Sequence, residues 1–425
     1  MVKITALKAM QILDSRGNPT VSCALSTPKG IFVSMVPSGA STGTHEALEL
    51  RDGGKEFGGK GVLKAVSNVN SVIAKSVVGK NFSSQRELDD FLLKLDGTEN
   101  KSKLGANAIL GASMSFARAL ASENNIELYE SLGNSAGKKS FSLPVPQLNV
   151  LNGGKHAGKE NDIQEHMLLP IKFNSFAEAI RAGAETYHVL KGMLKKKFGA
   201  QATLLGDEGG FVPQMDSVEE RLELMLSAIK EAGYEGKIKI GLDCASSEFF
   251  DGKKYSIGAK SFSASELADF YASLVDSYEI ISIEDGMAED DWNGWVELMK
   301  KLGKKIQLVG DDNLVTNTGR IKTALEKKAC NSLLLKVNQI GTVSESIGAS
   351  KLAEKNGWSV VVSHRSGETE DAFIADLVVG LASGQSKFGA PARSERVAKY
   401  NRLLAIEGNA SGKIPFSGRG FPFSK

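Results

Sequence analysis

LLLKVNQIGT, residues 333–342, sets the frame for the whole chain. Three leucines and a valine bracket one lysine, Lys336, and Asn338, Gln339 and Gly341 follow. A short apolar run closed by turn formers is the pattern of a buried strand running into a turn. A lysine at the end of such a strand is costly to desolvate unless an opposite charge compensates. The same desolvation lowers its pKa, which is how a lysine becomes a usable base. Lys336 is therefore either a structural lysine paired with a carboxylate or a functional amine, and its neighbours decide between the two.

Runs of the same kind recur after Leu143: VPQLNVL, IQEHMLLP, KIKIGLD, IISIED, IQLVGDD, SLLLKV and SVVVSH. Helical patterns stand between most of them, as over 175–197 and 217–231, which is the signature of parallel βα units. Polar residues close the runs at regular distances. Asp243 and Glu284 are 41 apart, and the steps on to Asp311, Lys336 and His364 are 27, 25 and 28. A (β/α)8 barrel spends roughly 30 residues per unit. The first two runs have no long helix between them, so the barrel is expected to open irregularly, on an antiparallel pair.

Upstream the style differs. Segments 4–13, 20–26 and 31–36 are strand-like and are separated by RGNP and TPKG, both strong turn signals, so they form an antiparallel meander. Helices are expected over 60–78, 84–95 and 106–124, the second opened by Ser84 and Glu87 at capping-box spacing. PSGASTGTHE, residues 37–46, has no core-forming side chains and reads as a mobile loop. GNSAGKKSFS, residues 133–142, reads as a linker. The fold class is thus α/β: a small α+β domain over residues 1–132, then an irregular (β/α)8 barrel over 143–425. A chain of 425 residues calls for two such units.

In a barrel, the strand ends converge on one mouth. One strand-end acid is usually a turn former or helix cap. Asp243, Glu284 and Asp311 on consecutive strands, followed by Lys336 and His364, fit that explanation poorly. Three crowded carboxylates raise one another's pKa unless a cation sits among them, and a trio without Cys or His offers hard oxygens only, which favours Mg2+ over zinc. Glu208 stands beside glycines in LLGDEGGF, and Glu165 sits inside the apolar run IQEHMLLP. In LNGGKHAG, His156 lies between glycines that let a ligand approach. In SHRSGETED, Arg365 and Ser366 follow His364, and arginine suits bidentate phosphate contact. Lys387 precedes Gly389 and Pro391 in GQSKFGAP. Each of these features alone is as consistent with a surface charge or a glycine turn. No nucleotide-binding signature is present.

Composition narrows the field. Hydrophobic residues make up 41% and charged residues 24%, with a net charge of +2, so nothing global points to nucleic acid or a membrane surface. No apolar run is long enough to span a membrane, and the first ten residues lack the apolar core of a signal peptide. Cys23, Cys244 and Cys330 are far apart and odd in number, which suits a reducing cytoplasm.

SRGNPT, PSGASTG, HEALELRDG, LDGTENKSKLGANAILG, GDEGG, IGLDCASSEF, LLLKVNQIGT, SHRSGETED and GAPARSER, in this order, resemble the enolase family of glycolytic phosphopyruvate hydratases, and the similarity runs from about Ile4 to Glu407. The resemblance implies reversible dehydration of 2-phospho-D-glycerate to phosphoenolpyruvate with two Mg2+ ions. It implies Asp243, Glu284 and Asp311 as ligands of the first ion and Ser41, in the mobile loop, as a ligand of the second. It makes Lys336 the base, Glu208 the general acid and Glu165 its partner. His156, His364, Arg365, Ser366 and Lys387 match substrate-contact or catalytic-support positions. The partner is then a small phosphorylated hydroxy acid, and the family implies a homodimer or a larger even assembly in the cytoplasm. Two departures stand out: Gly286 where the family often has proline, and His166 where it often has phenylalanine, which sets a titratable group next to Glu165 in sequence.

Three other readings remain open at this point. A racemase or cycloisomerase of the same superfamily keeps the acid trio but has no need of Ser41, Arg365 and Lys387 together. A Schiff-base aldolase uses Lys336 and leaves the acids idle. A surface-binding protein that retains the fold presents its terminal Lys425 to a lysine-binding partner, which requires a cell-surface pool that no export signal supports.

Overall fold

The computed structural model describes residues 1–39 and 43–423. Strands β1 (Ala6–Leu13), β2 (Pro19–Thr27) and β3 (Gly30–Met35) form the expected antiparallel meander, in that order. The helix Ala106–Glu123 packs on its inner face, burying nearly every one of its side chains. The helical stretch over 63–77 is not one regular helix. Its middle, Asn68–Ile73, widens into π-helical turns. Ser84 caps the helix Gln85–Asp96 by accepting from the Glu87 amide at 3.2 Å, while the Glu87 carboxylate reaches back to Ser83.

Eight strands close the barrel: β4 (Val145–Asn152), β5 (Glu165–Pro170), β6 (Ile238–Asp243), β7 (Ile280–Glu284), β8 (Gln307–Gly310), β9 (Ser332–Leu335), β10 (Ser359–Ser363) and β11 (Gln385–Lys387). Every neighbouring pair is parallel except β4–β5 and β5–β6, so β5 alone runs backwards. The reversal has a consequence for the site. A forward strand offers its last residue to the mouth, whereas β5 offers its first, Glu165, which pairs in register with Asp243 at the end of β6.

Alternation along β9 explains its three leucines. Leu333 and Leu335 join the main core between strands and helices, and Leu334 packs with Val309 and Val361 in a separate small cluster. Deeper in the barrel, Gln385 accepts from Gln147 at 2.9 Å and from Gln307 at 3.0 Å. Strands β8 and β11 are not neighbours, so these amides bridge the interior and give the site a polar floor.

One further sequence expectation needs correction. The proposed linker 133–142 begins as helix, because Leu128–Ala136 is helical and ends only at Gly137, a left-handed cap with φ 74°. Glu127 and Glu130 supply a reciprocal capping box, and Leu128 and Leu132 supply the apolar face. Gly133 is buried against the helix Phe373–Leu381, where a Cβ would approach the Gly380 carbonyl to 3.0 Å. The small residues that read as a linker are there for close packing. In addition, β11 is only three residues long and lacks an apolar run, so periodicity alone does not reveal it.

Candidate active site

The expected strand ends do converge. One cavity at the barrel mouth is lined by Lys336, Glu208, Glu165, His156, Asp243, Asp311, His364, Arg365, Ser366 and Lys387. Glu284 joins them through Lys387. Ser41 lies outside the described residues. The flanks of its loop are tied to the barrel on both sides. Ser38 and Gly367 exchange backbone hydrogen bonds of 2.7 and 2.9 Å, and the Thr44 hydroxyl donates to Glu289 at 2.5 Å.

Lys387 is the electrostatic hub. Its ammonium lies 2.8 Å from Asp243 Oδ2, 2.8 Å from Glu284 Oε1 and 3.1 Å from Glu165 Oε2, all buried. Burial opposes its charge, but Asp243, Glu165 and Glu284 overrule burial and hold the ammonium well above its ordinary pKa. Glu284 moves the other way. Burial, then the charge of Asp243, pushes its carboxyl well up. Its Oε2 is buried and has no hydrogen-bond partner.

Lys336 Nζ donates to Asp311 Oδ2 at 2.5 Å, and Gln339 Nε2 donates to Asp311 Oδ1 at 2.9 Å. Desolvation alone was expected to lower the Lys336 pKa. Burial does act in that direction, but Asp311 outweighs it and the pKa is raised. Of the two readings of this lysine, the carboxylate pairing is real, and the partner is itself one of the three strand-end acids. Asp311 is correspondingly held below the usual carboxylate range despite its burial. Crowding therefore raises Glu284 and does not raise Asp311.

Across the cavity, His156, Glu165 and Glu208 each bring a ligating atom within 4.8 Å of the others'. His156 Nδ1 is 3.3 Å from Glu165 Oε1, and His364 Nε2 is 3.2 Å from Glu208 Oε2. Burial first, and then the neighbouring Glu208 charge, raises the Glu165 pKa well above normal. Burial also disfavours the Glu208 anion, but the charge and hydrogen bond of His364, followed by the charges of His156 and Arg396, prevail and pull its pKa well below normal. The two neighbouring carboxyls are thus pushed in opposite directions, Glu165 up and Glu208 down. His364 is itself pushed down to about 4, chiefly by burial. His166, adjacent in sequence to Glu165, points away from it as strand alternation requires. Its Nε2 accepts from Arg221 Nε at 3.2 Å, and Arg221 also grips Asp162.

Several participants escaped the sequence reading. Asp285, in a left-handed conformation with φ 44°, accepts from the backbone amides of Asp311 at 2.9 Å and Asp312 at 3.1 Å and so fixes the end of β8. Glu46 holds Arg365 in a two-pronged ion pair, with contacts of 2.8 and 3.0 Å. Asn149 Nδ2 donates to Glu208 Oε2 at 3.2 Å. Glu46 and Arg396 lie inside the quoted motifs HEALELRDG and GAPARSER. Asp285 follows a strand-end acid, the position where a second-layer carboxylate is easiest to overlook.

The donor set fits a divalent cation. Asp243 and Glu284 are in register on paired strands, both are hard oxygen donors, and Glu284 Oε2 is a buried acceptor without a donor.

Comparison with known proteins bears on the same residues. Residues 4–132 match the family model for the enolase N-terminal domain, and residues 140–424 match that for the enolase C-terminal TIM barrel domain. A curated relative, the enolase of Thermococcus gammatolerans (strain DSM 15229 / JCM 11827 / EJ3), is 54% identical over 423 residues, covering 99% of this chain and 98% of the relative.

Proposed function

The chain belongs to the enolase family and is a lyase of that family acting on a phosphorylated small molecule, and from this premise we propose how its residues divide the work. In our reading the reaction is the reversible dehydration of 2-phospho-D-glycerate to phosphoenolpyruvate. The family implies a divalent metal. We assign Mg2+, with Asp243, Glu284 and Asp311 as ligands of one ion and Ser41 as a ligand of a second. When bound, these ions supply the positive charge that stabilises an enolate-like anion beside the substrate carboxylate.

Lys336 is the base in this reading. It accepts the α-proton once Asp311 no longer saturates it, because burial and the charges of Lys387 and Arg365 then favour the neutral amine. Glu208 is the acid that protonates the departing hydroxide. Its proton comes from the store it shares with Glu165, where burial and like charge keep one proton between two carboxyls. His156 supports the pair from the cavity wall. Arg365 and Ser366, with their donors at the end of β10, take the substrate phosphate. Lys387 neutralises the carboxylates and orients the substrate's own.

The observation that carries this reading is the placement of Lys336 and of the Glu165–Glu208 pair on one small cavity with the strand-end acids. The test separates the two proton transfers. Lys336→Ala should abolish exchange of the substrate α-proton with solvent. Glu208→Gln should block dehydration, by about 10²–10⁴ in rate, yet keep measurable exchange. Equal loss of both steps in both variants, with metal binding intact, defeats the assignment.

We further place the chemistry in the barrel domain, 143–425, with residues 1–132 as a domain that covers its mouth. We propose a homodimer or larger even assembly, supported by the exposed Ile31 and Val33 of β3, which border a groove shared with Arg118, Glu127 and Arg402. Three free buried cysteines support a reducing, cytoplasmic setting. No helix among the described residues is long and apolar enough to cross a membrane.

A further inference from the structure

Arg396 enters the interior from the helix Ser394–Ala410 and is fully buried. Its two terminal nitrogens carry four N–H groups, and four acceptors surround them. Nη1 is 2.6 Å from His364 Nδ1 and 2.6 Å from the Arg365 carbonyl. Nη2 is 2.6 Å from the Ser366 carbonyl and 3.2 Å from that of Asp207. A guanidinium has donors only and does not give up its proton in a protein. An imidazole nitrogen 2.6 Å from such a donor has to offer a lone pair. His364 Nδ1 is therefore bare, and in the neutral ring the proton sits on Nε2, which faces Glu208 Oε2 at 3.2 Å.

We propose that Arg396 is a positioning residue that locks His364 as its neutral Nε2–H tautomer, so that His364 is a fixed hydrogen-bond donor to Glu208 and not a proton relay. The tautomer follows from geometry alone. Its catalytic meaning rests on the reading of Glu208 as the acid. Glu208 Oε2 already accepts from His364 and from Asn149, so a proton carried by Glu208 sits on Oε1. His364 has no second site to receive it, because Nδ1 is engaged by Arg396. The proton can leave Glu208 only toward Glu165 or the substrate side. The same guanidinium ties the carbonyls of Asp207, Arg365 and Ser366 together, which registers the acid-bearing loop against the proposed phosphate-binding loop. Gly389 makes the arrangement possible. With φ 88° and no Cβ, it lets the Glu208 carbonyl and the Arg396 side chain approach to distances where a Cβ would meet them at 2.8 and 3.0 Å.

The direct test is nitrogen-15 NMR of the histidine-labelled full chain at pH 7. The sequence has five histidines, so the His364 signals are identified by their loss in His364→Gln. Long-range proton–nitrogen correlations distinguish the two neutral tautomers and the imidazolium. The expected result is Nε2–H. A proton on Nδ1, alone or in an imidazolium, overturns the proposal, and this measurement needs no variant of Arg396. In a folded Arg396→Met, verified by circular dichroism, the single-tautomer pattern should be lost and kcat should fall roughly 10- to 100-fold. An unchanged tautomer there also overturns it. Finally, a glutamine amide can stand in for Nε2–H where asparagine is too short. His364→Gln should therefore keep at least about ten times the kcat of His364→Asn. Equal loss in both rejects the donor role, and it leaves the Glu208 assignment to be judged by its own solvent-exchange test.

Discussion

Lys336 illustrates how one neighbour reverses a residue's chemistry. Burial by itself would turn this amine into a base, yet Asp311 at 2.5 Å keeps it charged. The functional state of the lysine is thus set by what else engages Asp311, and both residues were legible as strand ends. Their coupling was not, because 25 residues of sequence separate them and only strand pairing brings β8 and β9 side by side. Asp285 makes the complementary point. It touches no substrate position in our reading, but its carboxylate accepts the amides of Asp311 and Asp312 and thereby aims the Asp311 side chain. Asp285→Ala should weaken divalent-metal binding about 10- to 100-fold, as loss of an outer-layer partner does elsewhere. Isothermal titration of the purified variant with Mg2+ checks this.

At the scale of elements, the informative features are those that break the regular pattern. A reversed β5 places Glu165 in the mouth, and the adjacency of two apolar runs predicted that reversal. The helix Leu128–Ala136 was missed because small residues look alike in a linker and in a tight helix contact. The docking of the helix Gln85–Asp96 onto the helix Val343–Lys355 carries a titratable group of its own. Asp89 is wholly buried there, accepts from Gln85 Nε2 at 3.1 Å and takes the Ser344 amide at 2.9 Å. Burial nonetheless raises its pKa to about 6, against hydrogen bonds that pull it down. A carboxyl whose folded pKa exceeds its unfolded value near 3.9 contributes stability that is fully present below about pH 4 and is lost as pH rises through about 6. Relative to Asp89→Asn, the wild type should therefore lose up to about 3 kcal/mol between pH 4 and pH 7. Denaturant midpoints of the two proteins at each pH measure the difference.

The whole molecule is organised to hold many like charges around one cavity, and Lys387 and Lys336 balance only part of them. A bound divalent ion should consequently stabilise the fold. At a free concentration about 100 times its Kd, one ion contributes about 2.7 kcal/mol, which for a chain of this length is a rise of about 3 °C in Tm. A chelator should reverse the rise, and Glu284→Gln should remove most of it. A melting point indifferent to Mg2+ in the wild type speaks against the ligand assignment. Contacts between the two parts of the chain supply the rest of the organisation, such as Arg118 with Asp371 at 2.5 Å and Lys101 with Glu345 at 3.0 Å.

The amino-acid order on its own dictated the barrel, its irregular start and the strand-end positions of the acids, the lysine and the histidine. Those features rest on local periodicity and spacing, which a chain carries regardless of how it is packed. The match of long motifs in sequence extended this to the family. The grip of Glu46 on Arg365 and of Arg396 on His364, and the opposite pKa shifts of Glu165 and Glu208, were decided by tertiary structure. These depend on burial and on distances of a few ångströms between residues hundreds of positions apart, and electrostatics at that range has no trace in local pattern.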